Sequence, residues 1–507
     1  MAQQPQNRMK PTLDKDLDKL TLVEEASYHL TRGLTAPGLG LLFLMISALV
    51  TSVYVVGQPS AMIIFTAVVI GAYMAMSIGA KDVANNVGPA VGAKAMPLAV
   101  ALVIGAVCEI LGAVTTGGNV VETISSGIIN IRTIPDSSIF VWAMLSALIT
   151  AALLVNLSNY LRAPISTTHT VVGGVAGAGT AAYGFAAVDW LSLGRIAMTW
   201  VATPFISAFF ATLLLAFIKE FIIYRDDKIA AARTWVPVLI GVMSGVFTAY
   251  LIWVGLHQVV SVSFSTPILS GLVIGLLTWR LCIPLIAKQS QGLENRNQSL
   301  RKMFQWPLIL AAALMSFAHG ANDVSNAIGP VVAIVRATQG VIVGDTASAP
   351  QWVLLIGAFG LSCGILLFGP RLIRLVGEQI TKLNPMRAFC VSVSTALTVL
   401  VASRFGMPVS TTHTAIGAVF GVGFFREWYT QNARKRLDAE RSENNDRSKG
   451  DGGSAEDNEN SSEVRRRYLV RRSHFMTIVA AWIITVPTSA ALAAACYGVM
   501  YVFFIRL

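Results

Sequence analysis

Two short phrases place charged and amide side chains inside apolar surroundings. The first runs SIGAKDVANNVGP from Ser77 to Pro89, and the second runs AHGANDVSNAIGP from Ala318 to Pro330. Each places an aspartate three residues before an asparagine, so both side chains share one helical face. An aspartate at membrane depth costs about 2.5–3.5 kcal/mol and usually has a partner, which favours a binding role over simple helix capping at the interface. The predicted binding residues are Asp82, Asn85, Asp323 and Asn326.

Glycine and proline interrupt both phrases, at Gly88 and Pro89 in the first and at Gly329 and Pro330 in the second. Glycine costs about 1 kcal/mol and proline about 3 kcal/mol in a helix interior, so a helix break is expected in each phrase. A broken helix exposes free amides at one end, which suit an anion. It exposes free carbonyls at the other, which together with a carboxylate suit a cation.

A second pair of phrases repeats a serine, two threonines and a histidine after a proline. These are RAPISTTHTVVGGVAG, from Arg162 to Gly177, and GMPVSTTHTAIGAVFG, from Gly406 to Gly421. Proline before Ser and Thr is typical of a helix start, where hydroxyls and free N–H groups can wrap a tetrahedral oxyanion such as phosphate or sulfate. The alternative is ordinary capping with small-residue packing. The histidines are interpreted as hydrogen-bonding braces. The predicted oxyanion ligands are Ser166, Thr167, Thr168, Ser410, Thr411 and Thr412.

The elements that position these phrases are predicted to be membrane helices. Of the 507 residues, 54% are hydrophobic and 13% are charged, against roughly a quarter charged in a soluble chain. Apolar runs of about 20 residues, long enough to cross a hydrocarbon core of ~30 Å, recur along the chain. Because they are continuous, they indicate helices rather than barrel strands. We predict 12 or 13 crossings, near 36–56, 60–79, 98–116, 138–158, 166–185, 196–218, 235–257, 266–287, 304–320, 351–369, 389–404, 409–425 and 476–505.

The order and spacing of the four phrases indicate an internal duplication. Asp82 precedes Ser166 by 84 residues, and Asp323 precedes Ser410 by 87. The first phrase follows the second predicted crossing and the second phrase follows the ninth. Because that separation of seven is odd, the two copies enter the membrane from opposite sides. Inverted repeats with a binding site near the midplane are a recurring architecture of secondary transporters.

The net charge of +11 lies mainly in loops beside apolar runs, so it indicates membrane topology and not nucleic-acid binding. The positive-inside rule places the loops 219–233 and 288–302 in the cytoplasm. The five cysteines lie in or beside apolar runs without a CxxC pair, which favours buried small side chains over disulfides or metal ligands.

One long polar segment interrupts the membrane pattern. Residues 431–462 lack aromatic side chains and are rich in Asp, Glu, Asn, Gly and Ser, a composition typical of a disordered loop. The chain therefore divides into a polar N-terminal segment (1–35), a first membrane repeat (36–218), connecting helices with cytoplasmic loops (219–303), a second membrane repeat (304–425), a disordered cytoplasmic loop (426–475) and a C-terminal transmembrane helix (476–507).

The doubled phrases resemble two signatures of the inorganic phosphate transporter (PiT) family, Gly-Ala-Asn-Asp-Val-Ala-Asn-Ala and Pro-(Ile/Val)-Ser-Thr-Thr-His. The resemblance runs from about residue 60 to 505, apart from the polar loop. It implies an inverted-repeat fold that takes up inorganic phosphate with Na⁺ or H⁺ and needs no other cofactor. By position it adds Asn322 to the site, and it adds Glu109 as a family acidic residue. Asp82 and Asp323 become candidate Na⁺ ligands, with Asn322 and Glu109 as further coupling-ion residues.

The sequence departs from this pattern at Lys81, where the second copy has Asn322. In one interpretation the lysine snorkels to the cytoplasmic interface and pairs with Asp82. In the other, its ammonium group replaces one coupling cation or binds the anion, and transport depends less on Na⁺.

The sequence thus predicts an all-α polytopic membrane protein that imports phosphate with a cation across the cell membrane, the inner membrane in a bacterium. A sulfate permease of the same fold stays open, and a channel or receptor is a further alternative. No acyl-transfer constellation accompanies Ser166 and His169, so an enzyme is not predicted. An ATP-driven pump lacks its phosphate-loop motif. The expected partners are inorganic phosphate, Na⁺ or H⁺ and lipid; a homodimer is left open.

Overall fold

The architecture is a bundle of long helices. A computed structural model describes residues 34–58, 60–130, 137–161, 165–255, 263–340, 349–377, 384–448 and 472–505. The helices of these residues are Leu34–Val55 (α1), Ala61–Asn86 (α2), Gly88–Gly92 (α3), Leu98–Thr116 (α4), Gly118–Ser126 (α5), Ser137–Leu161 (α6), Thr167–Tyr183 (α7), Trp190–Ile218 (α8), Lys228–Val254 (α9), Ser265–Gln289 (α10), Asn297–Met303 (α11), Gln305–Thr338 (α12), Gln351–Gly377 (α13), Pro385–Arg404 (α14), Thr411–Ser448 (α15) and Arg472–Met500 (α16).

Eleven helices of the described residues are long and apolar enough to cross a membrane. This confirms the all-α polytopic fold class but corrects the count of 12 or 13 crossings. The two predicted crossings without such a helix are 166–185 and 409–425, which correspond to α7 and the start of α15. Both helices begin inside the protein, because Ser166 and Ser410 are buried.

The two repeats pack on each other reciprocally. Helix α2 of the first repeat packs on α13 of the second, and α12 packs on α4. In the same way α7 packs on α16, and α15 packs on α8. Helices α7 and α15 meet at their N-terminal turns and do not pack along their lengths. They therefore diverge from the region where they begin. Without 166–185, the crossings counted between the two phrases fall from seven to six, so the parity no longer indicates inverted copies and the inverted topology stays a prediction.

Glycines allow the closest of these helix contacts. A Cβ atom on Gly112 of α4 would collide with the Phe317 carbonyl of α12, and one on Gly320 would collide with the Glu109 carbonyl. Small residues at such points let two backbones approach each other in the absence of a hydrophobic driving force between membrane helices. The equivalent glycines between α2 and α13 are Gly79 and Gly364.

The helix break expected in each phrase is absent from the second phrase. Helix α12 continues through Gly320, Gly329 and Pro330. In the first phrase α2 ends at Asn86, after the polar residues, and α3 begins at Gly88. The cost of glycine, about 1 kcal/mol per residue, is offset in α12 because Gly320 and Gly329 lie against α4 and α5.

The two basic loops that flank α9 and α10 bind each other. The backbone N–H of Lys228 donates to Asn295 Oδ1 (3.0 Å), and Asn295 Nδ2 donates to the Asp226 carbonyl (2.6 Å). Arg233 Nε donates to Ser290 Oγ at 2.6 Å. The loops therefore lie on one side of the membrane, as the predicted common cytoplasmic position requires.

The predicted disordered loop needs a correction at its start. Helix α15 continues to Ser448, so residues 431–448 are helical. This stretch, QNARKRLDAERSENNDRS, contains many good helix formers, with oppositely charged residues three and four positions apart. The remainder of the predicted loop that falls in 449–471, and the N-terminal segment 1–33, lie outside the described residues.

Candidate functional site

Two helix starts meet near the centre of the protein. Ser166 Oγ accepts from the backbone N–H of His169, and Ser410 Oγ accepts from that of His413, both at 3.3 Å. The predicted helix starts are therefore confirmed, with the serines as N-caps. The first N–H groups of each helix have no intrahelical partner, so two sets of backbone donors point into the same region.

Side chains of one repeat bind the motif helix of the other. Asn85 Nδ2 donates to Thr412 Oγ1 (3.0 Å), and Thr412 Oγ1 donates to Asp82 Oδ1 (3.1 Å). At the equivalent place, Asn326 Nδ2 donates to Thr168 Oγ1 at 3.1 Å. The predicted ligands of both phrases thus assemble into one cluster, which neither repeat could form alone.

The second repeat adds contacts of its own. Thr411 Oγ1 donates to Asp323 Oδ2 at 3.1 Å. The Asn322 amide group is used for positioning: its Nδ2 donates to the Met407 carbonyl (3.1 Å), and its Oδ1 accepts from the Val409 N–H (3.1 Å). Thr167, the remaining predicted ligand, is buried in the first turn of α7.

A buried histidine that sequence reasoning missed lies among three carboxylates. His319 Nδ1 is 2.7 Å from Glu109 Oε1, and its Nε2 is 3.2 Å from Asp323 Oδ2 and 3.8 Å from Asp82 Oδ2. Glu109 also accepts from Asn86 Nδ2 at 2.7 Å. Ligand atoms of Asp82, His319 and Asp323 lie within 4.8 Å of one another, close enough to hold a cation.

The signal for His319 is its spacing. It precedes Asp323 by four residues, so both share one helical face. It aligns with Ile78 of the first phrase, in the register that aligns the two aspartates. Glu109 aligns with Leu361, because Gly320 packs on Glu109 as Gly79 packs on Leu361. The polar pair at the contact of α4 with α12 is thus an apolar pair at the equivalent contact of α2 with α13.

Several buried oxygens of the cluster have no hydrogen-bond partner among the described residues. They include Asp323 Oδ1 and Asn326 Oδ1 on α12, together with Glu109 Oε2 and Asn86 Oδ1. Buried acceptors in proteins are normally satisfied. Carboxylate and amide oxygens are the ligand atoms that hard cations prefer, so this side of the cluster is suited to a cation.

The interpretation of the motif histidines as hydrogen-bonding braces is wrong for His169. Neither of its ring nitrogens has a partner among the described residues. Its ring instead lies 4.0 Å from the Trp200 ring and 4.8 Å from that of His413, measured between centroids. Aromatic packing therefore holds the His169 ring at this point, beside the hydrogen bond from Thr168 Oγ1 to the Val409 carbonyl (3.1 Å).

Lys81 does not snorkel to the membrane surface. Its Nζ donates to the carbonyl of Ile165, the residue before the capping serine of α7. No carboxylate oxygen of the described residues lies within 4 Å of this nitrogen, so the predicted ion pair with Asp82 is also absent. The side chain is thus directed into the site.

Comparison with known proteins agrees with this architecture. The sequence profile described as "Phosphate transporter family" matches residues 78–493. The chain belongs to this family. A "Putative phosphate permease" of Helicobacter pylori is 44% identical over 417 residues, which are 82% of this chain and 78% of the relative. One of Pyrococcus furiosus is 33% identical over 369 residues, 72% of this chain and 88% of the relative.

A solved structure, titled "The sodium-dependent phosphate transporter", shares the fold with a TM-score of 0.75 and 31% sequence identity. The match covers 87% of this chain and all of the other. The family and the membrane helices together identify this member as a multi-pass permease and not an enzyme.

Proposed function

We propose that this permease imports inorganic phosphate together with a monovalent cation, Na⁺ or H⁺, by alternating access across the cell membrane. The observation that carries the proposal is the convergence of two helix starts, capped by Ser166 and Ser410, on one cluster of amides and hydroxyls. Two sets of N–H donors with threonine hydroxyls match the oxygens of a tetrahedral anion. The sodium-dependent structural neighbour supports the same substrate.

A coupled cation follows from the electrostatics of this site. Asp82, Asp323 and Glu109 surround the cluster, so a phosphate dianion can enter only with compensating positive charge. Moving a dianion against an inside-negative potential of 100 mV costs about twice 2.3 kcal/mol. The unpartnered oxygens of Asp323 and Asn326 offer a place for Na⁺, and the imidazole of His319 between carboxylates offers a place for a proton.

Alternating access is supported by unequal burial of two equivalent half-sites. Lys81 and Asn85 of the first repeat are partly exposed, whereas Asn322 and Asn326 of the second are fully buried. Because the repeats are equivalent in sequence, an exchange of their conformations would close the first half-site and open the second. That exchange would deliver the same cluster to the other side of the membrane.

The test is uptake of radiolabelled phosphate into proteoliposomes under imposed Na⁺ or pH gradients. We expect saturable accumulation that collapses when the driving gradient is removed. Excess unlabelled sulfate should compete weakly; equal competition by sulfate would assign the site to oxyanions in general. A linear, gradient-independent flux would indicate a channel, and the absence of any phosphate uptake would reject the proposal.

A further inference from the structure

The two repeats differ at the residue before each signature aspartate. Asn322 uses its Oδ1 atom to accept from the Val409 N–H, at the residue before the serine cap of α15. Lys81 occupies the same position in the first repeat and contacts Ile165, the equivalent of Val409. A lysine ammonium group has three donors and no acceptor. Lys81 therefore donates to the carbonyl of Ile165, whereas Asn322 accepts from the N–H group of the equivalent residue, Val409.

The surroundings of the Lys81 ammonium group resemble those of a bound cation. The group contacts a backbone carbonyl, and both Asp82 and Asp323 attract its charge through space. In transporters, carbonyls of unwound backbone coordinate the coupling cation, and Ile165 lies in such non-helical backbone, just before the capping serine of α7. The other titratable groups that bear on this place are His319, which faces both aspartates, and His413 on α15.

The two half-sites differ in their unpartnered oxygens. In the second repeat, Asp323 Oδ1 and Asn326 Oδ1 are buried without a hydrogen-bond partner. In the first repeat, Asp82 Oδ1 accepts from Thr412 and from Asn85. Among the described residues, the second signature aspartate therefore has an unpartnered oxygen for a cation, whereas the equivalent oxygen of the first is occupied and a positive charge is already attached to the backbone there.

We propose that the ammonium group of Lys81 is a resident cation, which takes the place of one coupling cation in the first repeat. The transporter then carries one monovalent cation fewer per phosphate than a chain with asparagine at this position. A tethered charge compensates the anion in the site but does not cross the membrane, so it adds nothing to the driving force. This inference rests on the proposed phosphate symport.

The test measures stoichiometry thermodynamically. Proteoliposomes at zero membrane potential, set with valinomycin and equal K⁺, receive a tenfold inward Na⁺ gradient at fixed pH. The final ratio of internal to external labelled phosphate is then compared between the wild type and Lys81→Asn. One additional coupled Na⁺ should raise this ratio about tenfold, because it contributes the full free energy of the gradient. Lys94→Asn, which removes a positive charge from a loop, should leave the ratio unchanged.

Further variants keep the result decisive if Lys81→Asn transports poorly. Binding of ²²Na⁺ to the purified proteins should show one more site in Lys81→Asn and Lys81→Gln, and none more in Lys81→Arg. Thermal melting checks that each variant is folded. Equal phosphate ratios and equal ²²Na⁺ stoichiometry in wild type and Lys81→Asn would overturn the inference. They would show that Lys81 only holds the start of α7 in place. Failure of the wild type to accumulate phosphate under any gradient would instead overturn the proposed function.

Discussion

At the scale of single residues, two threonines of α15 allow the effect of losing a contact at the site to be compared with the effect of losing a contact within the helix. Thr412 Oγ1 contacts Asp82 and Asn85 at the site, whereas Thr414 Oγ1 donates to the Ser410 carbonyl within its own helix (2.9 Å). The two side chains are identical and lie two positions apart, so they form a matched pair. If phosphate binding weakens only when Thr412 is replaced, the effect belongs to the site and not to the helix.

We expect Thr412→Val to raise the KM for phosphate about tenfold or more, because a hydrogen bond to a charged group contributes roughly 1.5–3 kcal/mol. Thr414→Val should change the KM by less than about twofold, since its hydroxyl bonds only along the helix. Initial rates of labelled phosphate uptake measure both. Similar KM values in the two variants would remove Thr412 from the proposed ligand set.

The buried pair of Glu109 and His319 has an apolar counterpart in Ile78 and Leu361. Both members of the polar pair are fully buried, and their contact is 2.7 Å. Removing one partner of a buried ion pair is costly, by about 3–5 kcal/mol, whereas replacing both with apolar groups is often neutral. The chain itself shows which apolar pair the architecture accepts.

We therefore expect Glu109→Leu and His319→Ile each to lower the melting temperature, and the double variant to recover part of that loss, because Asp82 and Asp323 still lose their contact with the imidazole. Transport should nevertheless be lost in the single variants and in the double variant, because the site has lost Glu109, His319 or both from its set of charged groups. Thermal melting and phosphate uptake on the same preparations separate the two effects. A double variant that transports normally would show that the pair serves packing only.

For whole elements, the spacing of α4 and α12 controls the site. Gly320 lies against the Glu109 backbone, while Gly118, at the start of α5, has open space where a Cβ would be. Gly320→Ala should push the helices apart, break the Glu109–His319 contact, lower the melting temperature and abolish uptake. Gly118→Ala should retain uptake. A functional Gly320→Ala protein would show that the contact tolerates separation of the helices.

For the whole molecule, the partly exposed members of the cluster lie towards the face that carries the basic loops. Gln305 Nε2 at the start of α12 donates to the Lys94 carbonyl (3.4 Å), so the loop after α3 lies on the side of residues 288–302. Lys81 and Asn85, the partly exposed members of the cluster, lie at the end of α2 nearest that loop. If those loops are cytoplasmic, as the positive-inside rule predicts, the partly exposed half of the cluster faces the inside in the proposed alternating access.

This orientation predicts unequal thiol labelling. In a background without the five native cysteines, Asn85→Cys should react with an impermeant thiol reagent from the cytoplasmic side, and Asn326→Cys should be protected. Lys94→Cys, at an exposed position in the loop after α3, serves as a reactive control outside the cluster. Equal labelling of Asn85→Cys and Asn326→Cys would contradict the asymmetric burial that supports alternating access.

Much of this architecture follows from sequence because it depends on properties of neighbouring residues, such as their mean hydropathy and their helix-capping side chains. Hydropathy over about 20 residues selects membrane helices, and a Ser/Thr cluster after Pro408 specifies a helix start wherever the helix lies. The doubled order of phrases implies two equivalent halves, so Asp82, Asn85, Asp323 and Asn326 are predicted to share a site before any contact is known. Composition misled at 431–448, where favourable helix propensity exceeded the signal for disorder.

Only tertiary structure decided which distant atoms meet. His319 and Glu109 are 210 residues apart, and Lys81 and Ile165 are 84 apart. Their contacts depend on how closely glycine lets α4 and α12 approach and on where α7 begins. Likewise, α12 runs unbroken through Gly320 and Gly329 because their packing against α4 and α5 offsets the local penalty of glycine. Helices and repeated phrases can be predicted because neighbouring residues determine them. The partners of buried charged groups could not be predicted, because they depend on packing between helices that are far apart in the chain.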